Sequence, residues 1–542
     1  MPKRLPTLNI GLSIVGFVLV IGLMVTPVVV VLVGGIFRDG GATWQHLWDT
    51  VLADYVWNTL YLVVGVTGGV IILGTATAWL VSACEFWGRR WLEWLLVLPL
   101  AMPAYLLAYL YTDFLEYYGL AQVWLRSIFG WQSASDYWFP PVRNLWGAII
   151  MFSLALYPYV YLVVRVAFLQ QSACILEASR ALGCNPWQGF GRVAVPLARP
   201  AIIGGATLAI METLNDYGTV QYFGVSTFTA GIYRTWFGLG DKPAALQLAA
   251  VLTLVALAVF ALELWSRGNQ RFEHVLGKPT ARFRLHPLQS IGAWVVCGLP
   301  VGLGFLLPAG LLIHLCLSVW DEMDTQDWWQ LAQNSFGVSV VAALIGGLCA
   351  LALAYLQRTF SNPLTRGAVK LSAMGYGMPG AVIAVGIMIP LGFVDQKLDE
   401  WFATGLFLSG TIGALVYAYN IRFLAVALNS VESSLSKVKP NLDEASRSLG
   451  QGIWGTLGKI HAPLIQGGVL AGIIFLFVDT LKELPATIVM RPFNFETLAV
   501  RVFTYAADER LREAAFPALA ILAVGLLPVG WLSWQISRSG RR

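Results

Sequence analysis

Four carboxylates stand in stretches that are otherwise apolar, Glu212 and Asp216 within residues 201 to 224 and Asp479 and Glu483 within residues 465 to 490. Each pair is spaced i,i+4, which on a helix places both side chains on one face. A charge near the middle of a bilayer costs about 2.5–3.5 kcal/mol, so such groups face an interior path or a partner. Carboxylate oxygens are ligands for hard cations, and paired carboxylates along a path would suit a cation in transit. The same residues could equally be gate or packing groups held by Lys482 and Arg422. Lys482, between Asp479 and Glu483, weighs toward that second reading. Tyr217 and Tyr222 either add oxygen donors or anchor span ends at the interface, as aromatics do.

Other chemistries find little support. The six cysteines, Cys84, Cys174, Cys184, Cys297, Cys316 and Cys349, show no CxxC spacing and lie mostly in spans or on the expected inner side. Neither disulfides nor thiol chemistry is expected there. The five histidines are scattered, without ligand spacing. A phosphate-binding GxxxxGK[ST] loop is missing, since VLGKPT (275 to 280) and TLGKIH (456 to 461) lack both the leading Gly and the Ser or Thr after Lys. The chain is therefore expected to be no enzyme, to bind no cofactor, and to draw energy from outside itself. A basic patch interleaved with aromatics is lacking too, so nucleic acid is not an expected partner.

The elements that must position the carboxylates are membrane helices. Of 542 residues, 57% are hydrophobic and 12% charged, and mean hydropathy is +0.68. About 25% charged is usual for soluble proteins. Apolar runs of about 20 residues cross a hydrocarbon core. Twelve are expected, near 8–35, 56–83, 92–112, 144–168, 201–224, 245–266, 291–318, 335–356, 368–393, 403–428, 465–490 and 514–536. The first, following MPKR, reads as a retained anchor rather than a cleaved signal. Lys and Arg concentrate in alternate loops, while DEMDTQD (321 to 327) and DQKLDE (395 to 400) are acidic. By the positive-inside rule both termini are expected in the cytoplasm, with lipid around the spans and the 22 Trp as interfacial anchors.

A segment recurs in two polar loops: LEASRALGCNPWQGFGRVAVPL (176 to 197) and DEASRSLGQGIWGTLGKIHAPL (443 to 464). Glu177 matches Glu444 at an offset of 267, and the register continues from Glu212-Thr213-Leu214 to Asp479-Thr480-Leu481. With six spans per period the halves are expected to be parallel repeats, residues 1–266 and 291–542, joined by a solvated basic linker, 267–290. SVESSLSKVKPNL (430 to 442), before the second copy, reads as several residues longer than its counterpart. Each copy is expected to form a short helix with a small face, Ala178-Ser179 or Ala445-Ser446, ended by Gly183 or Gly450 at positive φ.

The spacing of Glu-Ala, Gly, Val or Ile, and Pro in both copies resembles the EAA loop of type I ABC importer permeases, with Ser for the second Ala and VP or AP for the usual LP ending. That resemblance implies an all-α permease fold of about twelve spans as two six-helix repeats. It also implies a coupling helix docking in a cleft of a separate ATPase subunit. Glu177, Ala178, Ser179 and Gly183, with Glu444, Ala445, Ser446 and Gly450, would be the ATPase-coupling residues. METLNDYGTVQYFGVSTFTAGIYRTWFGLGDKPAALQLA (211 to 249) further resembles fused ferric iron permeases. These work with a periplasmic iron-binding protein and a homodimeric ATPase that holds the ATP-Mg. Glu212, Asp216, Asp479 and Glu483 would then be transient Fe3+ contacts, because a hard trivalent ion favours oxygen. Related fused permeases carry thiamine, phosphonate or polyamine. Secondary transporters also pair parallel halves, and the loop motif is what separates the two classes.

Overall fold

The computed structural model describes residues 7–37, 41–170, 186–267, 282–319, 325–360, 362–402, 408–439 and 441–539. Among them 11 helices are long and apolar enough to cross a bilayer, or up to 12 if one bent pair is counted as a span. That pair, Arg89–Ala101 and Ala104–Phe129, turns through 92° where a single span over 92–112 was expected. Met102 precedes Pro103 and takes an extended backbone (φ −92°, ψ 113°), as the proline ring requires of its predecessor. Met378 before Pro379 does the same (φ −97°, ψ 135°). Here the membrane helix begins only afterwards, as Gly380–Phe402, and the next is Ile412–Leu435. The expected spans 368–393 and 403–428 are thus displaced toward the C-terminus, and DQKLDE is a helix end rather than a loop. Its Asp395 is buried and accepts the Leu408 and Ser409 amides, both at 2.7 Å.

The chain divides into two compact units. One comprises Met1–His46, Ile232–Leu254 and Asp324–Val500. Its centre is the mutual packing of Thr325–Thr359, Ile412–Leu435 and Ala462–Leu481. Lipid is as apolar as leucine, so such helices associate by close approach at small residues. A Cβ on Gly472 would lie 3.0 Å from the Ala427 Cα, and one on Gly347 2.5 Å from Ile473. The first helix, Thr7–Phe37, runs along Gly380–Phe402, where a Cβ on Gly386 would meet the Pro27 carbonyl at 2.6 Å.

The other unit comprises Leu47–Gly231, Val255–Met323 and Arg501–Arg542. Leu52–Ala83, Leu145–Gln170 and Val195–Asn215 form its centre. Gly205 abuts the Val160 backbone, with 2.7 Å between its would-be Cβ and the Val160 Cα. Residues 282–286 of the linker are not freely solvated as expected. Phe283–Arg284 pairs in parallel with Cys84–Glu85, and Arg282 reaches the Glu85 carboxylate at 3.3 Å. Residues 268–281 lie outside the described chain.

The repeat register is visible in the elements. Starts at Leu145, Pro186, Phe190, Val195 and Gly218 recur 267 residues later at Ile412, Ile453, Leu457, Ala462 and Pro485. The extra length expected just before the second motif is therefore absent, because the preceding helices already start in register. The unevenness lies earlier. Met102 and Met378 are 276 apart while Leu145 and Ile412 are 267 apart, so the first half holds nine more residues between them.

Candidate functional site

The two carboxylate pairs do not each sit on one helix face. Val195–Asn215 ends before Asp216, whose backbone turns extended (φ −70°, ψ 129°), and Ala462–Leu481 ends before Glu483. Both helices break because a carboxylate caps the short helix that follows. Asp216 Oδ1 accepts the Thr219 amide at 2.6 Å. Glu483 accepts the amides of Ala486 and Thr487 at 2.9 and 3.0 Å and the Thr487 hydroxyl at 2.6 Å. It also pairs with Arg422, Nη1 to Oε1 at 2.5 Å. Glu483 is 3% and Arg422 6% exposed.

Glu212 and Asp479 occupy the last helical turns and are half-buried. Asp479 Oδ1 lies 2.9 Å from Lys482 Nζ. The matching position in the first half is Asn215, so no lysine stands beside Glu212 there. Both cations weighed as partners thus engage the second-half pair. Among the described residues no three His, Cys, Asp or Glu side chains converge in a geometry able to hold a metal. Tyr222 stacks edge-on to Tyr109, with centroids 4.5 Å apart, and the Arg143 guanidinium lies 4.8 Å over its ring. Tyr217 packs against Phe503 at 5.6 Å.

The second motif copy is a helix, Asn441–Ser448, with Asp443 and Glu444 in its first turn, where the helix dipole favours them. Gly450 has φ +78°, and the Gln451 N–H closes onto the Ser446 carbonyl at 3.1 Å, the six-to-one bond of a glycine-ended helix. Glu444 and Ala445 are exposed, and Leu449 is 80% exposed beside them. Ser446, expected on the docking face with Ala445, is 1% exposed and shares a 2.7 Å hydrogen bond with Thr456, tying the two short helices together. Glu177, Ala178, Ser179 and Gly183 of the first copy lie outside the described residues. In both copies the second short helix enters the membrane helix through a π turn, Phe190–Ala194 or Leu457–His461.

A part-buried network that sequence reading missed anchors the second copy. Asp443 accepts from Arg358 Nη2 at 2.8 Å and meets His461 Nε2 at 2.5 Å. Arg358 also donates to the Leu435 and Val438 carbonyls, and Tyr355, edge-on to His461, donates to the Ile453 carbonyl. The available signal was the difference between the motif copies, since Leu176 and Ala194 stand where Asp443 and His461 do.

Residues 70–267 match the family model described as binding-protein-dependent transport system inner membrane component. The Fe(3+)-transport system permease protein FbpB 2 of Haemophilus influenzae is 25% identical over 88% of this chain and 89% of its own length. A putative 2-aminoethylphosphonate transport system permease protein of Salmonella choleraesuis is 26% identical over 41% of this chain and 78% of its own length. The molybdenum transport system permease protein ModB of Escherichia coli is 26% identical over 40% and 93%. Residues 70–267 thus match a binding-protein-dependent transport system inner membrane component, and the chain is similar in sequence and in its helical, membrane-spanning fold to ABC importer permeases of that kind.

Proposed function

We propose that the permease carries ferric iron delivered by a periplasmic binding protein, and that a homodimeric ATPase drives it from the cytoplasmic side. The observation that carries the substrate is the reach of the likeness. The ferric relative aligns along nearly nine-tenths of both chains, whereas the phosphonate and molybdenum permeases align to about four-tenths of this one. Glu177, Ala178 and Gly183, with Glu444, Ala445 and Gly450, contact the two ATPase subunits. Two motif copies on one chain call for two identical docking clefts. Positive charge in alternate loops supports cytoplasmic termini.

Glu212, Asp216 and Asp479 are half-buried at the helix breaks and are the pathway carboxylates placed to meet a passing cation, whereas Glu483 is buried and paired with Arg422. Asp216 and Glu483 shape those breaks. The test is uptake of radioactive iron by proteoliposomes holding the permease and its ATPase, with iron-loaded binding protein outside. ATP-dependent uptake is expected, and it should stop when Glu212 and Asp479 are neutralised together while the ATPase remains bound. Transport of 2-aminoethylphosphonate instead of iron would overturn the substrate. Uptake that persists on a proton gradient without ATP would overturn the energy source.

A further inference from the structure

The first half carries a cluster of buried phenols along Ala104–Leu115. Tyr105, Tyr109 and Thr112 lie at i, i+4 and i+7 along Ala104–Leu115, all buried. Tyr109 is 0% exposed, and its hydroxyl has no hydrogen-bond partner among the described residues. The Thr112 hydroxyl is likewise buried without one. A buried hydroxyl left unpaired costs about 1–3 kcal/mol, which a phenylalanine would avoid. Ala104–Leu115 packs against the short helix Gly218–Tyr222, whose start Asp216 caps through the Thr219 amide at 2.6 Å. The rings of Tyr109 and Tyr222 stand 4.5 Å apart, those of Tyr105 and Tyr109 5.8 Å.

The second half lacks these phenols at the matching positions, and its own buried phenol near Glu483, Tyr419, shares a 2.6 Å hydrogen bond with Thr487. In the 276 register set by the Met-Pro pairs, Tyr105 and Tyr109 correspond to Ala381 and Val385. In the 267 register Tyr217 and Tyr222 correspond to Leu484 and Val489. Glu483 is neutralised by Arg422, whereas the position matching Arg422 in the first half is Ala155. Four phenols and a carboxylate without an arginine therefore collect on one side of the repeat only.

We infer that Asp216, Tyr109 and Tyr222 form a transit station for a hard trivalent cation, built into the first half alone. This rests on the ferric reading above. Phenolate and carboxylate oxygens are the donors such an ion prefers. Each phenol that coordinates gives its proton to water, and no electron moves, so iron stays ferric. The ion is released when those oxygens regain their protons or the short helix Gly218–Tyr222 withdraws Tyr222 from Tyr109.

The full chain in lipid nanodiscs, titrated with ferric nitrilotriacetate, tests this. The expected result is a visible phenolate-to-iron charge-transfer absorption, lost in Tyr109→Phe and weakened in Tyr222→Phe and Asp216→Asn. It should survive Tyr111→Phe, a neighbouring tyrosine whose hydroxyl donates to the Leu303 carbonyl at 2.5 Å. Iron uptake in Tyr109→Phe should fall at least the roughly 10–100-fold that losing even a ligand's supporting partner costs. Ferric uptake by the wild type without the absorption would remove the station and leave the ferric reading standing. An absorption unchanged in folded Tyr109→Phe would also remove it. Should Tyr109→Phe fail to fold, the wild-type spectrum and Tyr222→Phe decide. Absence of ferric uptake by the wild type sinks the ferric reading, and the station with it, before any variant is made.

Discussion

Arg422 and Glu483 form an ion pair, Nη1 to Oε1 at 2.5 Å, at the point where Ala462–Leu481 gives way to Pro485–Met490. Two amides and a hydroxyl complete the acceptor capacity of the carboxylate. A charge in a membrane interior is tolerated when it is paired and hydrogen-bonded, and both conditions are met here. The pair holds a helix break in place. Its counterpart at Asp216 keeps the capping bond but not the arginine, so the two breaks share geometry and differ in charge.

Removing one partner of this pair leaves a buried charge unanswered, which costs about 3–5 kcal/mol. Arg422→Leu should therefore lower the unfolding temperature of the detergent-solubilised protein clearly. Arg422→Leu combined with Glu483→Gln should recover part of that loss, since the orphaned charge is gone. A double variant as unstable as the two single losses added together would show that the pair is not the reason.

The exposed face of Asn441–Ser448 should be sensitive in a different way. Leu449→Asp alters a side chain that is 80% exposed, so stability should hold while the ATPase is lost on co-purification. Gly450→Ala forces a Cβ into the left-handed region, at about 1–2 kcal/mol, and should disturb the helix end as well as docking. Full ATPase retention in Leu449→Asp would remove this face from the interface.

Span existence was legible because an unbroken run of about 20 apolar residues matches the thickness of a hydrocarbon core. The motif register at 267 agrees with the starts of the elements that follow each copy, whereas the π turns were not legible in it. The breaks were not legible from hydropathy, which averages over the very residues that cap. Asp216 and Glu483 read as facial partners of Glu212 and Asp479, when Pro485, two residues past Glu483, was the local sign that a new helix starts. Arg422 was weighed from the sequence as a partner of the carboxylates, and packing across 61 residues decides that Glu483 is the one it meets. Asp443 and His461 were half-legible, as polar residues in one motif copy facing Leu176 and Ala194 in the other.

That network makes its own prediction. Asp443→Asn keeps the shape but removes the charge shared by Arg358 and His461. The membrane helix ending at Thr359 would then hold the helix Asn441–Ser448 less firmly. ATP hydrolysis should continue while iron uptake per ATP falls. An unchanged ratio of uptake to hydrolysis would assign the network to folding alone.

In the segment between the bent pair and Leu145, Asp136 accepts the amides of Ser133 and Gln132, both at 2.8 Å, and the Ser133 hydroxyl at 3.1 Å. Those donors, the Ser133 amide foremost, hold its carboxyl below the ordinary carboxylate range. A depressed folded-state value means that the turn is supported above that range and loses support as pH falls through it. Carbon-detected titration of Asp136 should give a midpoint below that of a free aspartate, moving up in Ser133→Gly. A midpoint at the free value would remove the capping role.

Glycines in the two equivalent membrane helices should separate by what a methyl group would meet. A Cβ at Gly205 falls 2.7 Å from the Val160 Cα, a backbone atom that cannot rotate aside. At Gly472 the nearest atom is the Ala427 Cα at 3.0 Å, while at Gly467 nothing lies within 4 Å. Alanine favours a helix interior over glycine by about 0.5–1 kcal/mol. Gly467→Ala should therefore be neutral or slightly stabilising, Gly472→Ala mildly destabilising and Gly205→Ala the most damaging of the three. Thermal unfolding of the three variants in one detergent checks the order. If Gly205→Ala melts no lower than Gly467→Ala, close glycine packing is not what holds the Val195–Asn215 helix against Leu145–Gln170.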